Sequence, residues 1–211
     1  MYKTVLKETE TEIIEKKSKF IANVKNVKTE EEAIEFINEI KKKYYDARHN
    51  VFTYRINNGN ERYTDDGEPS GTAGLPIIEM LKKENMTNIV VVVTRYFGGV
   101  LLGTGGLVRA YTRSAKEGIL ESGVVEKKKY VLISITVNYN LSGKIENYIA
   151  TEKFIVEDKL YTEDVEYKIY IDPSIEGNLR NKLTDMTSNN FKITAIEEVF
   201  GYEEDGKLKK N

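Results

Sequence analysis

The segment DDGEPSGTAG, residues 65–74, sets Asp65, Asp66 and Glu68 among three glycines, Pro69 and the hydroxyls of Ser70 and Thr72. Carboxylate oxygens at this density suit a hard cation. The spacing, however, lacks the alternation of a calcium loop, and Pro69 stiffens the chain directly after Glu68. Asp66-Gly67 is a common turn pair, so a turn is favoured over a metal site and no metal or cofactor is expected. His49 is the only histidine, and with Ser70 and the aspartates it completes the membership of a Ser-His-Asp triad. No G-x-S-x-G elbow surrounds Ser70, whose other reading is a cap on the helix that follows. His49, Asp66, Glu68 and Ser70 are therefore the candidates for acid–base or nucleophilic chemistry. A hydrogen-bonded structural histidine is the alternative for His49.

The second chemical segment is TRYFGGVLLGTGG, residues 94–106. Eight of the fifteen glycines lie between Gly67 and Gly106. Gly103, Thr104, Gly105 and Gly106 follow an apolar strand and open a helix, the context of a dinucleotide fingerprint. The third glycine of that fingerprint is missing, and no P-loop lysine is present. Bare backbone N–H groups at a helix start receive an anion well. Arg109 stands one turn inside the helix, and Arg95 ends the preceding strand. Gly98, Gly99 and Gly103–Gly106, with Arg95 and Arg109, are thus the candidate anion-binding residues, and close strand-to-helix packing is the competing use of the same glycines. If the strands before these two loops are neighbours, His49, Asp65, Asp66, Glu68, Ser70, Arg95 and Arg109 share one crevice suited to a phosphate-bearing or zwitterionic ligand.

The elements that must hold these loops are legible from periodicity. Residues 13–24 read as paired strands around a basic turn. Residues 29–45 read as a helix opened by a Thr29/Glu32 capping box. Residues 50–56 read as an alternating strand, followed by a polar loop. Residues 75–85 read as a helix with its start near Ser70, and NIVVVVTRYF (88–97) as a central strand apolar on both faces. A helix follows over about 104–121. EKKKY (126–130) reads as a charged junction. Beyond it come a strand (130–139), a helix (141–153) capped by Ser142, strands at 154–161 and 165–171, a helix after Asp172-Pro173, and a strand at 191–200. That β-α-β-β-α-β order is a split βαβ, ferredoxin-like arrangement. The expected domains are 1–128 and 129–201, with 202–211 as a flexible tail.

Composition bounds the partners. The chain has 211 residues, 40% apolar and 31% charged, with no cysteine, which excludes disulfides and thiolate chemistry. No segment approaches the ~18 apolar residues of a membrane helix, and the start has no apolar run of signal-peptide length. A cytoplasmic protein without a membrane partner is expected. Net charge is −2, unlike a generic polyanion binder. Six of the seven arginines nevertheless precede residue 129, and guanidinium suits bidentate contact with phosphate. Lys16, Lys17 and Lys19 either extend that basic character or form a solvated hairpin turn.

DDGEPSGTAGLPI (65–77) and VVVTRYFGGVLLGTGGLVRAY (91–111) resemble the IMPACT family, specifically its bacterial two-domain, YigZ-type branch. SKFIA (18–22) and DARHN (46–50) match further family segments, and the likeness covers essentially the whole chain without departure at the motif residues. The resemblance implies a shared patch at His49, Asp65, Asp66, Gly67, Glu68, Pro69, Ser70, Gly71, Arg95, Tyr96, Gly98, Gly99, Gly103, Gly105, Gly106 and Arg109. It implies an α+β chain: an N-terminal domain like the second domain of ribosomal protein five, then a C-terminal ferredoxin-like domain similar to the fifth domain of elongation factor G. It also implies a link to translation regulation. The expected function is a non-enzymatic module engaging RNA or the ribosome, or a protein partner in translation control, without DNA sequence reading. An enzyme acting on a small phosphate-bearing substrate is the alternative.

Overall fold

The computed structural model describes residues 1–210. The chain divides into two compact units, Tyr2–Glu126 and Lys127 onward. Each holds an antiparallel sheet backed by helices, a mixed α+β architecture. Among the described residues no helix is long and apolar enough to cross a membrane.

In the first unit, β2 (Thr9–Glu15), β3 (Ser18–Asn26), β6 (Ile89–Tyr96), β4 (His49–Arg55) and β5 (Glu61–Thr64) form a sheet in the order β2-β3-β6-β4-β5. A short strand, β1 (Tyr2–Val5), precedes them. Helix α1 (Glu30–Lys43) covers one face. Its N-cap Thr29 accepts from Glu32 N, while the Glu32 carboxylate reaches back to Lys28 N, so the expected capping box closes one residue early. Helices α2 (Gly74–Lys83) and α3 (Thr104–Glu121) cover the other face. The valine run of β6 serves both. Val90 and Val92 pack with Phe36, Ile37 and Ile40 of α1, whereas Val91 and Val93 pack with Ile77, Leu81, Tyr111 and Ala115. Alternating side chains of a central strand are buried on both sides.

The segment ERYT departs from the expected polar loop and pairs with β4 as the edge strand β5. Its polar side chains are tolerated because an edge strand exposes one flank to water.

In the second unit the succession is β7 (Val124–Val137), α4 (Tyr139–Thr151), β8 (Ile155–Tyr161), β9 (Val165–Ile171), α5 (Glu176–Thr187), β10 (Lys192–Glu204) and β11 (Lys207–Lys210). The sheet order is β11-β10-β7-β9-β8. Ile133, Ile135, Tyr167 and Ile169 meet Ile145, Ile149, Leu179 and Leu183 of the two helices. The charged stretch 126–130 lies inside β7, and the two units divide within it, between Glu126 and Lys127. Two expectations need correction. Ser142 does not cap α4; its hydroxyl donates to Tyr139 O inside the first turn. The stretch 202–211, expected as a flexible tail, is otherwise: residues 202–210 belong to the β10–β11 hairpin, closed by Asp205-Gly206 at positive φ. Leu208 packs beside Leu132, Ile155 and Tyr170, and Lys210 pairs with Glu157 and Glu197.

Candidate functional site

The site grows out of one register. β4 and β6 are adjacent and antiparallel, with His49 directly opposite Arg95 at the ends of the two strands. The loops that leave these ends, together with the start of α3, enclose a cleft of about 460 Å³. Its walls come from Arg48-His49, Gly67–Pro69, Arg95 with Phe97, and Leu101–Thr104 with Leu107.

Glu68 is the hub of the floor. Its side chain is only 4% exposed, and Oε1 receives Arg95 Nη1 at 2.6 Å and the Tyr111 hydroxyl at 2.8 Å. His49 Nε2 lies 3.9 Å from the same oxygen. Arg95 is sandwiched between the rings of Phe20 and Phe97, at 5.4 and 5.6 Å from its guanidinium carbon. Phe20 in turn meets Tyr111 edge-on at 5.1 Å. A buried carboxylate is stable here because a guanidinium and a phenol satisfy it together. Burial and the neighbouring Glu68 charge push the Tyr111 phenol far above its ordinary range. Arg95 Nη2 reaches Ser18 Oγ only at 3.5 Å, and its Nε is buried without a hydrogen-bond partner.

Local turn chemistry places Glu68. Asp66 (φ +43°) and Gly67 (φ +82°) make a left-handed turn. The Asp66 carbonyl lies 2.7 Å from His49 Nδ1, and its carboxylate accepts Asn50 N at 2.6 Å. A carbonyl only accepts, so Nδ1 carries a proton, and Nε2 is the nitrogen turned toward Glu68 on the cleft floor. Asp65 is occupied entirely by backbone. It accepts from Gly71 N (2.7 Å), Ala73 N (3.1 Å) and Gly74 N (2.9 Å), and so caps the entry to α2.

Ser70, a candidate for that cap or for a nucleophile, is neither: it is exposed, no side chain of the N-cap residue Ala73 caps α2, and His49 contacts no serine hydroxyl among the described residues. Asp65 and Asp66 likewise serve the fold rather than the cleft. Tyr96 faces elsewhere and donates to Asp46 Oδ1 at 2.7 Å, which raises its phenol to about 12. Among the described residues no three His, Asp or Glu side chains gather to hold a metal ion.

The glycines divide between packing and the anion-facing end. Gly98 serves packing: a Cβ there would lie 2.0 Å from the Lys17 carbonyl carbon, and its N–H donates to Ser18 Oγ. That contact seats the exposed Lys16-Lys17 turn beside Phe97. Gly99 and Gly103, at φ +82° and +73°, have open space around them. Gly103 is the N-cap of α3, and no side chain caps this helix. The N–H groups of Thr104, Gly105 and Gly106 are therefore left to solvent or a ligand. Arg109 does not line the cleft, but its guanidinium folds back along α3 to 3.6 Å from a Cβ built on Gly105. Neither Arg48 nor Arg109 has an ion pair among the described residues.

The sequence reading missed Tyr111, Phe97 and Leu101 as site residues. Tyr111 reads as one more apolar position of α3; the only signal was a hydroxyl where phenylalanine would fill the same space.

Residues 16–119 match the Impact N-terminal domain, and residues 135–190 match a domain of unknown function, DUF1949. IMPACT family member YvyE of Bacillus subtilis is 42% identical over 93% of this chain and 91% of that protein. The chain belongs to the IMPACT family. Among other IMPACT proteins, YigZ of Escherichia coli is 28% identical over 87% of this chain and 92% of its own. A crystal structure described as that of a hypothetical protein superposes with TM-score 0.57 at 26% identity, covering 93% of this IMPACT chain and 97% of the other. The residues that build the cleft fall within the matched Impact N-terminal domain.

Proposed function

We propose that the first unit is a non-enzymatic module that binds phosphate-bearing RNA, free or within the ribosome, in the service of translation control in the cytoplasm. The observation that carries this reading is the meeting, at one cleft, of the uncapped start of α3 with the unpaired Arg48 and the exposed ring of Phe97. The helix end and the guanidinium attract phosphate oxygens. The ring offers a base a stacking surface, and base–aromatic stacking is sequence-tolerant, at ~1–3 kcal/mol per base. Arg109, one turn inside α3, and the Lys16-Lys17 turn add local positive potential to a chain of net negative charge. We read the first unit as a relative of the second domain of ribosomal protein five. The second unit, with its β-α-β-β-α-β succession, we read as ferredoxin-like and akin to the fifth domain of elongation factor G. Both readings accord with a ribosome-facing role.

Titrating RNA and ribosome binding against salt tests the proposal. Affinity should fall steeply as salt rises, and Arg48→Ala with Arg109→Ala should reduce the logarithmic slope by ~1 for each phosphate no longer neutralised. A folded double variant with unchanged affinity and slope refutes the assignment. Arg95 is the wrong residue for this test, since its loss strands buried Glu68.

A second reading, an enzyme acting on a small phosphate-bearing substrate, has one specific observation in its favour. The Asp66 carbonyl fixes His49 through Nδ1 on the wall of the cleft, with Nε2 3.9 Å from Glu68 Oε1, an imidazole placed for proton transfer with a ligand. A screen of phosphorylated metabolites with a His49→Ala control decides it: turnover that survives the substitution removes His49 from the mechanism.

A further inference from the structure

We infer that the cleft receives a terminal phosphate monoester, the phosphorylated end of an RNA strand, rather than an internal phosphodiester. The inference rests on the RNA-binding reading and narrows it.

Size is the first argument. At about 460 Å³ the cleft lies toward the lower end of the ~300–1,000 Å³ typical of small-molecule sites. It has room for one nucleotide, and its mouth is open to solvent. Its walls come from four separate chain segments, not from one flat sheet face.

Charge is the second argument. Glu68 cancels Arg95. What remains facing the ligand is Arg48, the α3 N-terminus and the ring of His49, with Arg109 beside the first helical turn. A monoester carries ~−1.5 to −2 charges near neutral pH and three strong acceptor oxygens, against one charge for a diester. Two unpaired guanidiniums and a row of backbone N–H donors match three terminal oxygens better than the two free oxygens of a diester. Arg95 lines the cleft but is spent on Glu68, and its unpartnered Nε is buried out of a ligand's reach. The nucleoside attached to the phosphate would lie along Phe97 and Leu101, which are 49% and 83% exposed.

The test uses the full chain and one short RNA sequence in three forms: a 5′-phosphate, a 3′-phosphate, or hydroxyls at both ends. Fluorescence anisotropy at low salt should show at least one phosphorylated form binding roughly tenfold tighter than the hydroxyl form, and the arm that gains identifies the strand end. Arg48→Ala/Arg109→Ala should abolish the gain while the circular dichroism and melting temperature stay unchanged. A nucleoside monophosphate should compete where the nucleoside does not. Equal, salt-sensitive binding of all three forms overturns end recognition and leaves RNA binding standing. Absence of binding by every form overturns both.

Discussion

Replacing Arg95 by alanine tests the architecture of the cleft floor. Arg95 and Glu68 are 7% and 4% exposed and meet at 2.6 Å. Removing the guanidinium leaves the carboxylate buried with the Tyr111 hydroxyl as its one remaining hydrogen-bond donor at 2.8 Å. It also removes the cation held between Phe20 and Phe97. Breaking a buried pair from one side typically costs ~3–5 kcal/mol, because an uncompensated charge stays behind. With a urea dependence of ~2 kcal/mol per molar, the unfolding midpoint of the first unit should drop by roughly 2 M. The chain lacks tryptophan and has two units, so the transition is best followed by near-ultraviolet circular dichroism of the tyrosines, with the second unit as internal reference. Adding Glu68→Gln to the alanine variant removes the stranded charge and should restore ~1–3 kcal/mol, the coupling expected of contacting residues. A loss below about 1 kcal/mol in Arg95→Ala, or no recovery in the double variant, would refute the view that this ion pair holds the floor together.

Asp65→Ala deprives three backbone N–H groups of their acceptor at the entry to α2 and should destabilise the first unit by about 2 kcal/mol, the upper end for a helix cap, read by chemical denaturation. Ser70→Ala should be neutral within ~0.5 kcal/mol, since an exposed surface hydroxyl holds no cap. Gly98→Ala drives a methyl into the Lys17 backbone and should cost ~1–3 kcal/mol while displacing the Lys16-Lys17 turn, seen as altered amide shifts there. Tyr111 has its phenol pKa raised in the fold above its unfolded value of 10.0, mainly by burial and then by Glu68. Above pH 10 the native state therefore holds a proton that the unfolded chain releases, and stability falls as pH rises. Tyr111→Phe should flatten that alkaline slope by ~1.4 kcal/mol per pH unit in melts at successive pH values.

Much of this protein is written in short-range pattern. Thr29 and the acid-first, lysine-last order of α1 announce that helix, and Val90–Val93 announce a strand buried on both faces. The glycine at 103 marks the start of α3, because only the residues beside a turn decide whether positive φ is needed. The alternation of strands and helices after residue 130 gives the succession of the second unit. These features depend on neighbours within a few residues, where period and backbone sterics dominate.

Contacts across long stretches of chain decided the rest. The register that sets His49 opposite Arg95 joins residues 46 positions apart, and the Tyr111 hydroxyl reaches Glu68 across 43. ERYT has too little apolar content to read as a strand, and it becomes one because β4 offers a free edge. Asp65 and Ser70 are equally plausible caps by residue type; backbone direction after the Asp66-Gly67 turn gave the role to Asp65. Lys207–Lys210 reads as a frayed end until Leu208 finds Leu132 and Tyr170 to pack with. Sequence alone thus determined the kinds of element and the residue types near the cleft. Tertiary structure decided which carboxylate is buried, which histidine nitrogen turns toward it and which arginines remain unpaired, since burial and pairing belong to the space between segments and not to any one of them.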